Sequence, residues 1–255
     1  VGPETSVYKK GDRVFALVGG GGYAEYAVAL ESHCMRIPDA LSFEQASCIC
    51  ETYITAYLNL FRLGELQGKQ SVLIHGGGGG VATAAIQLCK ALSPQTNIFV
   101  TASASKIDRI KQQGANYVFD YREQDFAAEI KLLTQKRGVD VILDHIGAKY
   151  LESNLKSLAV YGRLVLIGVM GGIKAEVNLA MVMVKRQQII GSVLRSRSIT
   201  EKATIIRQFE ATVMPLFAMG VIEPLIEAKY PLSEASKAHQ LMEKGGHFGK
   251  IVLLT

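Results

Sequence analysis

Cysteine is scarce in this sequence, and no metal or disulfide pattern accompanies it. The four cysteines are Cys34, Cys48, Cys50 and Cys89, with no C-x-x-C pair and no histidine at ligand spacing. This arrangement predicts free thiols in a reducing compartment. We therefore expect a cytoplasmic protein without a disulfide framework or a structural zinc ion.

A long hydrophobic run and a strong charge bias are also missing. No apolar run approaches the roughly 18 residues that a membrane helix requires, which predicts a soluble protein with no membrane partner. The net charge of +5 is mild for 255 residues, and the basic residues are scattered. A nucleic-acid partner is therefore not expected. With 49% hydrophobic residues, the chain can bury a large core in one or two domains.

Five consecutive glycines interrupt an apolar stretch, "SVLIHGGGGGVATAAIQL" (71–88). The segment before them is short and β-branched, which predicts a buried strand, and the apolar spacing after them predicts a helix. The fingerprint G-x-G-x-x-G/A fits in one register only, as Gly77, Gly79 and Ala82. Backbone at such a turn can approach a diphosphate closely, and the helix N-terminus supplies N–H donors. The pattern therefore predicts a dinucleotide site rather than a flexible linker.

Strands and helices alternate from residue 71 onward, which predicts an α/β fold: a doubly wound parallel Rossmann sheet covered on both faces. The strands are predicted at 71–75, 97–102, 117–119, 139–143, 163–168 and 188–193. Helices are predicted between them at 81–92, 105–114, 124–136 and 148–159. Outside this region the predictions are strands at 13–18, 24–29, 225–230 and 250–255, and helices at 51–66, 200–219 and 233–244.

No acidic residue occurs between Gly76 and Lys106. In this fold an acid about 20 residues after the glycines binds the ribose 2′-OH of NAD. Ser103, Ser105 and Lys106 stand in its place, and small hydroxyls with a cation suit a 2′-phosphate. NADPH is therefore expected in preference to NADH. The alternative is an ordinary exposed lysine, although lysine near a helix start opposes the helix dipole.

Nine segments follow one another in a recognisable order over nearly the whole chain. They are "GDRVFAL" (11–17), "GGGYAEYAV" (20–28), "ETYITAYLNL" (51–60), "VLIHGGGGGVATAAIQL" (72–88), "DYREQDF" (120–126), "VDVILDHIG" (139–147), "LIGVMGG" (166–172), "SVLRSR" (192–197) and "GKIVLL" (249–254). On these segments the sequence resembles the zeta-crystallin-type NADPH:quinone oxidoreductases of the medium-chain dehydrogenase/reductase superfamily, especially their tumour-suppressor-inducible branch.

The resemblance implies a set of cofactor-binding residues. The glycine turn would hold the diphosphate, Lys106 and Tyr121 the adenosine side, Thr55 and two later glycine turns the nicotinamide, and Phe248 with Lys250 would close over the cofactor. The full expected set is Thr55, Gly77, Gly78, Gly79, Gly80, Val81, Ser103, Lys106, Tyr121, Gly147, Gly168, Met170, Gly171, Phe248 and Lys250. No catalytic residue is assigned, with Tyr53 and Thr55 as candidate pocket residues.

Several residues keep two interpretations. Tyr53 lines a pocket or packs a helix, His145 contacts the cofactor or transfers a proton, and Arg195 faces solvent or a pocket. His75 is expected to be a packed core histidine. Glu51 stands where related zinc alcohol dehydrogenases hold a zinc cysteine, and since the other ligands are missing we expect no metal.

The resemblance implies hydride transfer from NADPH to a quinone, with one-electron transfer also seen in this family. Such a reaction needs little acid–base chemistry, because the cofactor supplies the reactivity and solvent supplies protons. Two alternatives stay open. One is a trans-2-enoyl thioester reductase, which would need a tyrosine proton donor in the segment expected before this chain. The other is a chain that binds NADPH without efficient turnover, in a structural or RNA-binding role.

The resemblance also implies a domain division and a homodimer. Residues 1–50 would be a partial GroES-like β-barrel substrate domain, 51–195 the NADPH-binding Rossmann domain, and 196–255 a return to the substrate domain. Family members begin some tens of residues earlier, so strands 13–18 and 24–29 are expected to lack partners and quinone turnover to be low. The apolar edge strand 188–193 predicts pairing between two copies.

Overall fold

Two compact units make up the computed structural model, which describes residues 1–255: residues 56–193 form one unit, and residues 1–55 with 194–255 form the other. The strands are β1 (Val14–Ala16), β2 (Cys34–Arg36), β3 (Ser71–Ile74), β4 (Asn97–Ala102), β5 (Tyr117–Asp120), β6 (Val139–Asp144), β7 (Leu158–Leu166), β8 (Gln188–Gly191), β9 (Ile226–Pro231) and β10 (Lys250–Leu254). The helices are α1 (Phe43–Ser47), α2 (Ile49–Tyr57), α3 (Gly80–Leu92), α4 (Ile107–Gln112), α5 (Phe126–Leu133), α6 (Leu151–Ser157), α7 (Leu179–Lys185), α8 (Ile199–Ala218) and α9 (Ala235–Lys244). That the unit outside 56–193 is a substrate domain stays a prediction.

The unit 56–193 confirms the predicted fold class. Its six strands are all parallel, in the order β5-β4-β3-β6-β7-β8. Leu73, Ile142 and Leu164, on adjacent strands, are fully buried in one core with residues of α5 and α6. Strands covered on both faces need continuous apolar sequence, which is why β3 reads as an unbroken hydrophobic run. The strand order reverses between β3 and β6, and ligands of such sheets bind beyond the carboxyl ends of the strands at that reversal.

The other unit holds two small sheets. Strands β1 and β2 pair antiparallel, and β9 and β10 pair parallel. The expectation that strand 13–18 has no partner is therefore wrong, because β2 pairs with it and was not predicted. Helix α8 begins at a capping box, in which Ser198 accepts from the Glu201 N–H and the Glu201 side chain accepts from the Ser198 N–H.

Two further sequence predictions differ from the structure. The predicted strand 24–29 is irregular: Tyr26 and Val28 are 90% and 96% exposed, so its alternation of apolar residues covers no core. Helix α7 was not predicted, although Asn178 caps it by accepting from the Met181 N–H at 3.1 Å. None of the helices is long and apolar enough to cross a membrane.

Candidate nicotinamide-cofactor site

The glycine turn joins β3 to α3, as predicted, and is shaped by close contacts. A Cβ added at Gly77 would overlap the side chains of Val100 and Ile110, and one added at Gly78 would overlap the Lys106 side chain. Gly77 donates its N–H to the Thr101 carbonyl at 3.0 Å, which fixes the turn against β4. Only glycine fits at Gly77, and a side chain at Gly78 would have to displace the flexible Lys106 side chain, so the space is a cradle formed by backbone.

The first turn of α3 supplies donors to this cradle. Gly79 is the N-cap and has no side chain to cap the helix. The N–H groups of Gly80, Val81 and Ala82 therefore point out of the helix start without an intrahelical acceptor. Free N–H groups and the positive end of the helix dipole favour a phosphate at this point. The residues present thus fit the diphosphate of a dinucleotide.

Lys106 lies at the lip of the glycine turn. Its Nζ is 3.0 Å from the position that a Gly78 Cβ would take. The Lys106 N–H donates to the Ser103 carbonyl at 3.0 Å, and Ser103 Oγ lies 3.5 Å from Ser105 Oγ. Tyr121 is 42% exposed, and its N–H donates to the Ala102 carbonyl at the end of β4. These expected adenosine-side residues all follow the carboxyl ends of β4 and β5.

Two further turns follow β6 and β7 and are bound to each other. Met170 donates its N–H to the His145 carbonyl at 3.0 Å, and Gly171 donates to the Ile146 carbonyl at 2.6 Å. Gly147 has a φ of +79°, and a Cβ there would lie 2.9 Å from the Gly172 carbonyl oxygen. The expected nicotinamide residues of this unit therefore form one double turn, although their contact with a cofactor stays a prediction.

A buried hydrogen-bonded network supports the double turn. The Asp144 carboxylate accepts from the N–H of Ile146 at 2.6 Å, from the N–H of Gly147 at 3.2 and 3.3 Å, and from Asn154 Nδ2 at 3.0 Å. Asn154 Oδ1 lies 2.8 Å from His75 Nε2, and His75 Nδ1 lies 2.8 Å from Thr101 Oγ1. We call Thr101, His75, Asn154 and Asp144 the buried network.

Burial perturbs both titratable members of this network. Desolvation lowers the pKa of His75 to about 3, so the ring is neutral at ordinary pH, and the prediction of a packed core histidine is confirmed. Desolvation raises the pKa of Asp144 to about 6 against the lowering effect of its N–H donors. Burial also lowers the pKa of His145. Thr101, Asn154 and Asp144 are not among the residues predicted from the sequence. The one usable signal was an aspartate closing the apolar strand "VDVILD".

The remaining expected residues belong to the other unit. Tyr53 is buried, donates its hydroxyl to the Glu223 carbonyl at 2.9 Å and meets Phe217 edge to face. This is the helix-packing interpretation of Tyr53. Phe248 is also buried, while Thr55 and Lys250 are half-buried. The cofactor roles of Thr55, Phe248 and Lys250 stay predictions.

A cavity of about 430 Å³ lies within this second unit. Glu51, His33, Arg195 and Lys202 are among its lining residues. Arg195 lines this cavity and is also exposed to solvent, so both of its interpretations stay open. No group of three or more His, Cys, Asp or Glu side chains in the chain is placed to hold a metal ion, and the expectation of a zinc-independent protein stays a prediction.

Similarity to known proteins extends over the whole chain. The family model named zinc-binding dehydrogenase matches residues 113–253. Human quinone oxidoreductase is 35% identical over 257 residues, covering 100% of this chain and 76% of the relative. The synaptic vesicle membrane protein VAT-1 homolog of Danio rerio is 33% identical over 269 residues, covering 100% of this chain and 55% of the relative. The chain thus spans about half the length of the second relative and three quarters of the first.

Solved structures are also similar to this chain over nearly its whole length. A Pseudomonas syringae quinone oxidoreductase superposes with a TM-score of 0.89 at 28% identity, covering 100% of this chain and 78% of the other. A mycobacterial protein complexed with NADPH superposes with a TM-score of 0.85 at 29% identity, covering 96% of this chain and 76% of the other. The CurF ER cyclopropanase of curacin A biosynthesis superposes with a TM-score of 0.87 at 26% identity, covering 100% of this chain and 75% of the other.

Proposed function

We infer the function of this chain from its family, because it belongs to the zeta-crystallin-type quinone oxidoreductases of the medium-chain dehydrogenase/reductase superfamily. This is an oxidoreductase family that uses nicotinamide cofactors. We propose that the chain is a zinc-independent reductase that takes a hydride from NADPH and delivers it to a quinone. The observation that carries the cofactor choice is Lys106 at the lip of the glycine turn, with Ser103 beside it and no acid between Gly76 and Lys106. The superposed mycobacterial structure, which is complexed with NADPH, supports this choice.

The chain's own residues would bind and orient the reactants. The N–H groups at the start of α3 bind the diphosphate, and the Lys106 ammonium with the Ser103 hydroxyl binds the 2′-phosphate. The double turn at Gly147 and 168–171 seats the nicotinamide ring. When bound, the cofactor supplies the hydride. Reduction of an electron-poor acceptor then needs the two reactants held in contact, and protons can come from solvent.

The cofactor choice is tested by titrating NADPH and NADH into wild type, Lys106→Ala and Lys111→Ala. Lys111 is the matched control, since it lies on α4 and is exposed. Loss of a charge-assisted hydrogen bond costs roughly 1.5–3 kcal/mol, so Lys106→Ala should weaken NADPH binding at least about tenfold. NADH binding should be unchanged in both variants. Equal loss for the two cofactors would contradict the proposal.

The acceptor is tested by following NADPH oxidation with an ortho-quinone and with a trans-2-enoyl thioester. The thioester is the second candidate because the CurF ER cyclopropanase has the same fold. That reaction needs a proton donor, and burial raises the pKa of Tyr53, whose hydroxyl is already donated to Glu223. We therefore expect turnover with the quinone. Turnover with the thioester alone would assign the chain to the second reaction.

We further propose that two copies pair through β8 in the cytoplasm. Ile189 on this edge strand is 41% exposed, and Met183 on the preceding helix is 72% exposed. Unpaired edge strands with apolar side chains favour association. Light scattering at micromolar protein should give twice the mass of one chain, and Ile189→Lys should give the mass of one. A monomeric wild type would contradict the proposal.

A further inference from the structure

The four side chains of the buried network have a single hydrogen-bond direction. The ionised Asp144 carboxylate can only accept, so Asn154 must present its Nδ2 to Asp144 and its Oδ1 to His75. His75 Nε2 therefore carries the proton and donates to Asn154. His75 Nδ1 is then unprotonated and accepts from the Thr101 hydroxyl. Each side chain therefore supplies the hydrogen-bond donor or acceptor that the next one requires. All four side chains are at most 1% exposed.

The network ends on the backbone of the candidate nicotinamide turn. Asp144 accepts hydrogen bonds from the N–H groups of Ile146 and Gly147. The carbonyl groups of the same turn accept from the N–H groups of Met170 and Gly171. No cation contacts the carboxylate, and its partners are N–H donors. A buried charge without a counter-ion costs free energy unless hydrogen bonds compensate it. The turn therefore depends on Asp144 being ionised and correctly oriented.

A proton on Asp144 cannot be placed in this arrangement. All three groups that face the carboxylate are donors, so an O–H there has no acceptor. The network can accommodate the proton by reversing: Asn154 rotates its amide to accept from Asp144, Nδ2 donates to His75 Nε2, and the ring exchanges its Nε2 proton for one on Nδ1. The net change is uptake of one proton by Asp144, and the neutral acid is a weaker acceptor for the two turn N–H groups.

We propose that Asp144 is the positioning residue of the Ile146–Gly147 turn, that Asn154, His75 and Thr101 set its orientation, and that protonation of Asp144 reverses the network and loosens the turn. This inference rests on the proposed function only in assigning the nicotinamide to that turn. The titratable groups facing the network are His145, which neighbours Asp144 in sequence, and Tyr150, whose pKa is raised by burial, by Tyr121 and by Asp144. Both belong to the control variants below.

The first experiment uses the cofactor-free wild-type chain. The ¹⁵N signals of the His75 ring report which nitrogen carries the proton, and the amide signals of Ile146 and Gly147 report the turn. At about pH 8 the proton should be on Nε2, and at about pH 5 it should be on Nδ1, with both amides moving through the same transition near the Asp144 pKa. Asp144→Asn should abolish the transition, whereas His145→Gln and Tyr150→Phe should retain it. A proton on Nδ1 at pH 8, or amides that do not titrate, would overturn the proposal.

The second experiment measures cofactor binding and needs no acceptor. Asp144→Asn is compared with Asp140→Asn, which changes a carboxylate at the other end of the same strand that also accepts a backbone N–H. Asp144→Asn should weaken NADPH binding about tenfold, equivalent to about one charge-assisted hydrogen bond. Asp140→Asn should bind as wild type does. Equal affinities of the two variants would overturn the positioning role.

The two experiments also separate this inference from the proposed function. If the chain bound neither NADPH nor NADH, the proposed function would fail, while the His75 and amide signals would still test the network. If NADPH bound well and the signals did not titrate, the inference alone would fail. Should Asp144→Asn not fold, the wild-type titration and Asn154→Asp, which places a second acceptor beside Asp144, give the same test. That variant keeps an acceptor toward His75 Nε2 and has no amide to rotate, so the proton should stay on Nε2 at both pH values, and its transfer to Nδ1 at about pH 5 would count against the proposal.

Discussion

Asp140 and Asp144 lie at opposite ends of β6 and use their carboxylates differently. Asp140, at the amino end, accepts from the N–H and hydroxyl of Ser71 at 2.7 and 3.0 Å and pairs with Arg137 at 2.6 Å. Its side chain is partly exposed. Asp144, at the carboxyl end, is fully buried, has no cation and accepts N–H groups of the following turn.

The difference shows which end of the sheet serves stability. At the amino end the carboxylate connects the starts of β3 and β6 and is neutralised by a cation near solvent, an arrangement with little desolvation cost. At the carboxyl end a desolvated carboxylate with a pKa of about 6 is retained, although it costs stability when ionised. The compensation lies in the ordered turn, at the edge where doubly wound sheets bind their ligands.

The largest effect should come from His75, at the carboxyl end. Its pKa is about 3 in the folded chain and near 6.5 when unfolded, so below pH 6.5 only the unfolded state takes the proton. Stability should therefore be complete above pH 6.5 and fall by about 1.4 kcal/mol per pH unit below it, toward pH 3. Urea unfolding at several pH values should show this slope in the difference between wild type and His75→Gln.

Asp144 acts in the opposite sense over part of this range. Its folded pKa is above its unfolded pKa, so it contributes stability when protonated and loses that contribution as pH rises from about 4 to 6. The absolute pH curve therefore mixes the two groups, and the difference between wild type and His75→Gln isolates the histidine. A difference that does not change with pH would show that His75 titrates normally.

Alanine at Gly138, at the amino end of the sheet, and alanine at Gly77, at its carboxyl end, should lower the free energy of unfolding by similar amounts. Their effects on cofactor binding should differ. A Cβ at Gly138, before β6, would lie 2.5 Å from the Ser157 carbonyl oxygen, and its φ is +86°. A Cβ at Gly77 would overlap Val100 and Ile110. Each change to alanine should cost about 2–4 kcal/mol in the free energy of unfolding. At a temperature where both variants stay folded, only Gly77→Ala should lose NADPH affinity. Parallel losses of affinity would contradict the division between the ends.

Asp140→Asn should have a smaller effect, confined to stability. The amide retains one acceptor for the Ser71 N–H but loses the charge that pairs with Arg137, so about 1 kcal/mol should be lost in urea unfolding. NADPH affinity should stay at the wild-type value. A change in affinity larger than about twofold would show that the amino end is coupled to the cofactor site.

The sheet could be predicted from sequence because its signals are local. Continuous apolar strands, amphipathic helices and the glycine turn each occupy a few neighbouring residues, and all six strands of the sheet were found. Segment 24–29 has the same local alternation but no partner to pair with, and pairing is decided by residues distant in sequence. Helix α7 was missed because "LAMVMVK" has no clear periodicity and depends on its Asn178 cap.

The buried network could not be predicted from the sequence, because its residues are distant from one another along the chain. Thr101, His75, Asn154 and Asp144 come from three strand ends and a helix, separated by 26, 79 and 10 positions in sequence. Apart from the aspartate that closes the apolar strand "VDVILD", their residue types carry no signal until the fold brings them together. The expected cofactor residues, by contrast, came from motifs at the ends of strands, where the fold class itself predicts a ligand.

Gly79→Ala should have the smallest effect on stability and the most specific one on the cofactor. A Cβ at Gly79 would meet only the Gly76 carbonyl oxygen, at 3.5 Å, and Gly79 has a φ of −80°, which alanine adopts without strain. Replacing an N-cap glycine by alanine should cost less than about 1 kcal/mol in unfolding free energy. The methyl group would nevertheless stand at the start of α3, at the backbone N–H groups that we propose bind the diphosphate. We expect NADPH and NADH affinities to fall together, about tenfold or more, because both cofactors share the diphosphate. Wild-type affinity in a folded Gly79→Ala chain would place the diphosphate elsewhere and remove the main functional distinction of the carboxyl end.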